Sequence, residues 1–337
     1  MDCTLFIPHL IPPRELGEAL WRRVDAPQLK AMLARATFAS NAAVDGEAWL
    51  CAAFGIARQR DFPLAPLLAN HESLRTDYGY WLNATPVHLE TRRKALVLTD
   101  PSALAITPHE SAAFATTLAE HLREENITLH APQANRWYLR NDATPAMTTS
   151  SLGAVIGRDV RPFLPQGPDS ARWHRLLTEI QMLLHVHPLN DVREARGLLP
   201  VNSVWLWGGG AMPAPAAAPF TTVWSDDCIV NALAHHCACP REPRPARITQ
   251  DTLKKGSHLF SSELLETHLR RGDAQSWSNA VTALNRDWFS PLLDALKSRR
   301  LNKLTIVSTS DAGTQQFVIR RNDSLKFWRK NKYLHSL

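Results

Sequence analysis

The sequence predicts an α/β protein, with a mainly parallel sheet between helices, interrupted by a separate α+β insertion. Three observations carry this expectation. Four short runs, at residues 4–7, 204–207, 221–224 and 304–307, are apolar or β-branched throughout, as strands buried on both faces of a parallel sheet are. Helical patterning fills the intervals between them. From residue 77 to 195 the texture changes to strand–helix–strand, which suggests a compact module of its own. A chain of 337 residues, 45% of them hydrophobic, is long enough for two domains. The expected division is a core of residues 1–76 and 196–337 and an insertion of residues 77–195.

Taken in order, Thr4-Leu5-Phe6-Ile7 opens the sheet and is stopped by Pro8 and Pro12-Pro13. Helices follow at 15–24 and 26–36. In the second, Leu29, Met32 and Leu33 share a face and Pro27 occupies the first turn, where a missing N–H costs nothing. A third helix, 47–54, ends at Gly55, which suits the left-handed residue that closes a helix; a fourth runs to Asn70. In the insertion, strands at 80–82, 95–98, 128–130 and 136–139 accompany a helix from 108 to 125. Thr107-Pro108-His109-Glu110 has the form of a capping box, hydroxyl and carboxylate each satisfying a free backbone N–H. Residues 141–170 read as loop. Residues 170–185 read as a helix with Trp173, Leu176, Leu177, Ile180 and Leu184 on one side. From His185 runs a polar connector, then the strand 204–207, three glycines and an Ala/Pro-rich extended segment to 219. The strand 221–224 precedes helices at 229–238, 259–271, 274–285 and 288–299. The strand 304–307 and an edge strand at 317–320 close the fold.

The composition narrows the function classes. No apolar run approaches the length of a membrane span, and Met1-Asp2-Cys3 opens no signal peptide, so a cytoplasmic protein without membrane association is expected. Five scattered cysteines fit reduced thiols better than a disulfide framework. A net charge of +6 suits anionic partners, yet it is spread along the chain and solubility alone accounts for it. The tail from Lys326 to Tyr333 mixes cations with aromatics, as nucleic-acid contacts do. It comes without a recognised binding fold, so nucleic acid is not expected.

The most informative stretch runs from His185 to Pro213. Arg193, Gly197, Asn202, Trp205, Trp207, Gly208 and Gly210, in that order and spacing, resemble a signature of the archaeal-type, cofactor-independent phosphoglycerate mutases of the alkaline-phosphatase superfamily. The resemblance is closer still to a proteobacterial branch that also carries the name of Rpf-type regulatory proteins. It implies a three-layer phosphatase-type core split by an α+β insertion. It also implies interconversion of 2- and 3-phosphoglycerate through a phosphoserine, with two divalent ions (Mn, Mg or Zn). Such a pair of ions requires about six Asp and His ligands.

At three places the sequence departs from what the resemblance implies. The strand 4–7 ends in Pro8-His9 instead of a ligating Asp. The nucleophile position falls near Asp45-Gly46-Glu47, and Gly46 has no hydroxyl. The late strand leads into Ser310-Asp311-Ala312-Gly313, which keeps Asp311 but sets a methyl where a metal-binding His is implied. The expectation is a degenerate, non-catalytic site with no cofactor and a regulatory or ligand-binding role. The competing expectation is a working mutase.

His185, His187, Arg193 and Arg196, with Arg136 behind them, are the candidates for a cationic pocket, because guanidinium groups bind phosphate and carboxylate bidentately. The resemblance implies a substrate-phosphate role for Arg193. Asn202, Gly208, Gly209 and Gly210 join this set, since a glycine run can turn its N–H groups to an anion. The bland alternatives are a solvated helix–loop boundary and a tight strand exit. Asp226, Asp227, His235, His236, Cys237 and Cys239 carry metal-ligating chemistry. They lack Cys-x-x-Cys spacing, and adjacent His on a helix diverge by about 100°, so no metal is expected. The partner expected is a small anionic metabolite or another protein.

Overall fold

The computed structural model describes residues 1–12, 20–42, 44–310, 313–321 and 323. Its main elements in chain order are β1 (Asp2–Phe6), α1 (Pro27–Arg35), β2 (Thr37–Asn41), α2 (Gly46–Ala53), α3 (Leu64–His71), β3 (Tyr80–Val87), β4 (Leu89–Arg92) and β5 (Ala95–Leu98). There follow α4 (Pro108–Glu124), β6 (Ile127–Gln133), β7 (Arg136–Asn141), α5 (Ser170–His185), α6 (Pro188–Ala195), β8 (Ser203–Gly210), β9 (Thr222–Trp224), α7 (Cys228–His236) and β10 (Arg241–Glu242). The last are β11 (Ser257–Ser261), α8 (Leu264–Arg270), α9 (Ala274–Leu284), α10 (Ser290–Lys297), β12 (Lys303–Ser310) and β13 (Gly313–Arg320). They fall into two units, Met1–Gly55 with Pro215–Leu337, and Ile56–Ala214. No helix among the described residues is long and apolar enough to cross a membrane.

In the first unit β1 lies inside a seven-stranded sheet of order β10-β9-β11-β1-β12-β13-β2. The strands from β10 to β12 are parallel; β13 runs antiparallel to both its neighbours, β12 and β2. Cys3, Leu5, Phe260, Leu304 and Ile306 are fully buried in its core, with Leu29, Met32 and Leu33 of α1, Trp277 and Val281 of α9, and Leu292 and Leu296 of α10. Each such aliphatic side chain removed from water contributes roughly 1.5–3 kcal/mol. Helix α1 begins at Pro27 as the sequence implies. Its free backbone N–H at Leu29 donates to Asn285 Oδ1 at 2.9 Å, and Asn285 Nδ2 donates to Gln28 Oε1 at 2.6 Å.

Two expectations are corrected here. The parallel neighbour of β1 is β11, from a segment read as the start of a helix over 259–271. A run as short as Leu259-Phe260 does not separate strand from buried helix by periodicity. Strand β13 is interior, and the edge belongs to β2, whose Thr-Phe-Ala-Ser-Asn lacks an apolar run. The expected helix at 15–24 lies partly, and the tail at 326–333 wholly, outside the described residues.

The second unit is built on an antiparallel sheet of order β6-β7-β3-β8. Its core holds Leu82, Phe114, Leu118, Trp137, Trp173, Leu176, Ile180 and Leu206. Helix α4 opens with the anticipated capping box: Thr107 Oγ1 accepts from Glu110 N at 3.2 Å, and Glu110 Oε2 accepts from Thr107 N at 2.8 Å. A further correction concerns β8. It pairs antiparallel with β3 and does not belong to the parallel sheet, and all three glycines lie within the strand. Its eight residues are buried on both faces, which is why a fully apolar strand here mimics the parallel type. The connector after His185 contains helix α6, with His187 as N-cap and Pro188 at its first position. The fold is mixed α/β, with a mainly parallel central sheet and separate antiparallel sheets.

Candidate functional site at the carboxyl edge of the parallel sheet

Parallel register decides what meets at this edge. Phe6 pairs with Ser261 and with Val307, and Phe260 with Trp224. The chain therefore leaves β1, β9, β11 and β12 side by side through Ile7-Pro8-His9, Ser225-Asp226-Asp227, Ser262-Glu263 and Thr309-Ser310. Open α/β sheets seat ligands at such an edge. The exit of β1 is held in place: His9 N donates to Thr309 O at 2.8 Å, and Trp277 Nε1 donates to His9 O at 2.9 Å.

Helix α2 begins against these strand ends. Asp45 is its N-cap, accepting from Ala48 N at 2.7 Å. A Cβ on Gly46 would lie 3.2 Å from Thr309 Oγ1 and 3.3 Å from the Phe6 ring. The ring itself stacks on Trp49 with centroids 5.3 Å apart. Gly46 thus faces the ends of β1 and β12 with no side chain of its own. Asp311 and Ala312 lie outside the described residues.

Carboxyl groups gather here from three segments. Asp227 caps α7, accepting from Val230 N at 2.7 Å. Glu263 stands at the N-cap of α8, and Glu266 in its first turn. Glu47 lies in the first turn of α2. Loss of water around the Glu263 carboxyl, then the charge of Asp227 and a hydrogen bond to it, push Glu263 up to about 9. Burial, then the charges of Asp45, Glu266 and Asp227, push Glu47 up to about 8. Arg270 Nη2 pairs with Glu266 Oε1 at 2.5 Å and opposes both shifts. Among the described residues, no group of three or more His, Cys, Asp and Glu is arranged to hold a metal ion.

The residues expected to form a cationic pocket are not brought together. Arg193 has no exposed surface. Its Nε donates to Leu199 O at 2.9 Å, Nη2 donates to Leu104 O, and Nη1 pairs with Glu110 Oε1 at 2.9 Å. His187 is turned inward, its Nδ1 accepting from Leu189 N at 3.2 Å and its ring 4.6 Å from that of Phe114. His185 and Arg196 are exposed at the ends of α5 and α6. Arg136 pairs with Glu72. Asn202 exchanges two hydrogen bonds with the backbone of Leu89, at 2.7 and 2.9 Å, as a strand residue would.

The glycines serve close packing. A Cβ on Gly210 would fall 2.5 Å from Pro63 Cβ, one on Gly209 against Tyr80 Oη and 2.8 Å from Leu82 Cδ2, and one on Gly208 2.9 Å from Asn83 Nδ2. The Gly209 N–H is committed to the buried carboxylate of Asp61, which also accepts from Thr149 N and Oγ1. The other metal-type candidates are separated along α7. Asp226 pairs with Arg244 at 3.2 Å before the helix, whereas His235 and His236 lie in its last turn, about 12 Å further on at 1.5 Å per residue. Cys237 donates through Sγ to Phe54 O at 3.5 Å, and Cys239 is buried. None of the five cysteines forms a disulfide.

Sequence reasoning missed Glu263, Glu266 and Arg270. The signal available was a Ser-Ser-Glu step at the end of a short apolar run, masked by reading the run as helix.

No family model matches the chain. Over 126 residues it is 28% identical to the 2,3-bisphosphoglycerate-independent phosphoglycerate mutase of Methanosarcina mazei, covering 35% of this chain and 30% of that one. Over 70 residues it is 34% identical to the enzyme of the same name from Methanothrix thermoacetophila, covering 21% of this chain and 17% of the relative. The likeness in sequence is to phosphoglycerate mutases. The chain matches less than a third of the length of either relative. Among solved structures, the PH0037 protein of Pyrococcus horikoshii shares the fold, with a TM-score of 0.58 over 95% of this chain and 87% of that one at 12% identity.

Proposed function

We propose that this phosphoglycerate-mutase-like chain is a non-catalytic relative of those enzymes, acting in the cytoplasm as a regulatory or ligand-binding protein. One observation carries the reading: Gly46 occupies the amino end of α2 against Thr309 and Phe6, where a phosphoryl-accepting hydroxyl is needed. The carboxyl groups beside it also raise the cost of a transferring phosphoryl group, because their charge repels it unless cations intervene. The ligand proposed is a small phosphorylated acid, with a protein partner as the other arm, and the chain works without Mn, Mg or Zn.

The deciding experiment is a mutase assay of the purified protein with 2- and 3-phosphoglycerate and added Mn²⁺, together with metal analysis. No turnover is expected. Turnover abolished by a chelator establishes the competing reading, an active mutase, for which the sequence likeness speaks. A thermal-shift series with the two phosphoglycerates tests the ligand, since a compound that binds only the native state raises the melting point.

A further inference from the structure

Along the chain the cations are scattered, but the fold gathers several of them at the edge where the parallel strands of the large sheet begin. Asp2 N donates to Gly256 O at 2.9 Å, which sets Lys254-Lys255 beside the start of β1. Asp2 lies opposite Lys303 of β12, and Lys303 lies opposite Arg320 of β13. Arg299 and Arg300 stand between α10 and β12, fixed by bonds from Arg299 N to Leu296 O at 3.1 Å and from Arg300 N to Ala295 O at 2.9 Å. Lys254, Lys255, Arg299, Arg300 and Arg320 are exposed. Among the described residues, no carboxylate pairs with any of these five side chains. Asp2 answers Lys303, at 3.6 Å, and Asp323 accepts from the backbone N–H of Arg320 at 2.9 Å.

Like charges held directly opposite on neighbouring strands destabilise a sheet, and Lys303 and Arg320 stand so. The negative end of α10 accounts for Arg299 and Arg300 only. The row as a whole therefore calls for an anion from outside. Strands β11, β1, β12 and β13 lie about 4.8 Å apart, a row of roughly 14 Å, and a nucleic-acid duplex offers one phosphate per about 1.7 Å of its axis. Arg299, Arg300 and Arg320 bring planar forks that match phosphate oxygens. The exposed large apolar side chains among the described residues are Tyr78, Met182, Val186 and Val192 of the second unit, and Leu264 at the start of α8, past the far end of β11. None stands on this edge. A membrane surface would need an apolar face beside the charge, a protein partner an apolar centre, and unstacked bases an aromatic platform. The phosphates of a duplex need none of these. We infer that this basic edge binds the phosphate backbone of double-stranded nucleic acid, without reading its sequence.

The inference goes beyond the proposed ligand role and does not rest on it, so turnover of phosphoglycerate leaves it untouched. Its test is the fluorescence anisotropy of short labelled DNA and RNA duplexes of mixed sequence, titrated with the full chain over a range of salt concentrations. The wild type is expected to bind a duplex with a Kd on the order of 1–100 µM at physiological salt, and log affinity is expected to fall linearly with log salt. The triple variant Arg299→Gln/Arg300→Gln/Arg320→Gln is expected to lose about tenfold or more in affinity and to flatten the salt slope by roughly 2.7, at about 0.9 per phosphate contact. Lys254→Gln/Lys255→Gln, on a separate segment, is expected to flatten it by roughly 1.8 on the same scale. This second variant decides the matter if the triple variant melts far below the wild type. Arg92→Gln/Arg93→Gln/Lys94→Gln, at the β4–β5 turn, removes the same charge as the triple variant and is expected to leave binding close to that of the wild type. No binding of either duplex at low salt overturns the inference. So does a β4–β5 variant as weak as the edge variants, because net charge alone then explains the binding. Polyglutamate that displaces the label as well as an unlabelled duplex overturns it too, since the edge then takes any acidic chain.

Discussion

Arg193 Nη1 lies 2.9 Å from Glu110 Oε1 in a place where the arginine has no exposed surface. Glu110 is also the reciprocal member of the capping box at the start of α4. The pair therefore ties the first turn of α4 to α6. Replacement of Arg193 by Ala strands a buried carboxylate and is expected to cost about 3 kcal/mol or more, measured by urea unfolding. Loss of affinity for an anion at unchanged stability would contradict this role.

Glu110 supplies the acid limb of stability. Burial alone would raise its pKa, but the Thr107 bonds and Arg193 outweigh it and hold the carboxyl below its ordinary value. A lowered native pKa stabilises the fold above the unfolded value, and that stabilisation is lost as pH falls below the usual carboxylate range. Glu110→Gln is expected to be less stable at neutral pH and to show a flatter decline on acidification, followed by melting temperature against pH.

Glu47 has the opposite sign. Its native pKa of about 8 lies above the unfolded value near 4.5, so the folded state holds a proton that the unfolded state releases. Stability then falls as pH rises from about 4.5 to about 8. Asp45, Asp227 and Glu266 sustain the effect and Arg270 moderates it. Glu47→Gln is expected to raise the melting temperature at pH 8 relative to the wild type, with the difference shrinking toward pH 4. A constant difference across that interval would refute the assignment.

The glycines separate two kinds of small residue. Gly209→Ala must push against Tyr80 Oη and Leu82 and is expected to cost about 1–3 kcal/mol through overpacking. Gly46→Ala meets only the Thr309 side chain and the Phe6 ring, at 3.2 and 3.3 Å. Helix propensity returns up to about 1 kcal/mol there. Its net effect is expected to stay within about 1 kcal/mol, and Gly46→Ser is expected to confer no mutase turnover by itself. Chemical denaturation and the coupled assay check both.

Thr107→Ala removes one arm of the capping box and is expected to cost about 1 kcal/mol, read from the same denaturation curves.

Much of this architecture was legible in the chain because local chemistry marked it. Thr107 and Glu110 announced α4, Gly55 (φ 72°) closed α2, and the apolar runs at β1, β9 and β12 carried the parallel sheet. Partner strands were less legible: a run buried on both faces looks the same in either kind of sheet, which misplaced β8, and a run as short as Leu259-Phe260 passes for buried helix, which hid β11. Side-chain destinations were least legible. Guanidinium chemistry and the family resemblance put Arg193 among the phosphate candidates, but only tertiary packing set its donors against Leu104, Leu199 and Glu110. Glu263 escaped notice because the run before it was read as helix and its neighbour Asp227 comes from a distant segment.

The margins of the large sheet have a bearing on solubility. At one end stands β10, two exposed charged residues long; at the other stands β2, whose Thr37, Ala39, Ser40 and Asn41 face solvent. Among the described residues, neither border offers the long, flat, greasy ribbon onto which a stray chain could zip. Hydrophobic replacements along Thr37–Asn41 would supply such a ribbon, turning a self-limiting sheet into one able to recruit its own copies.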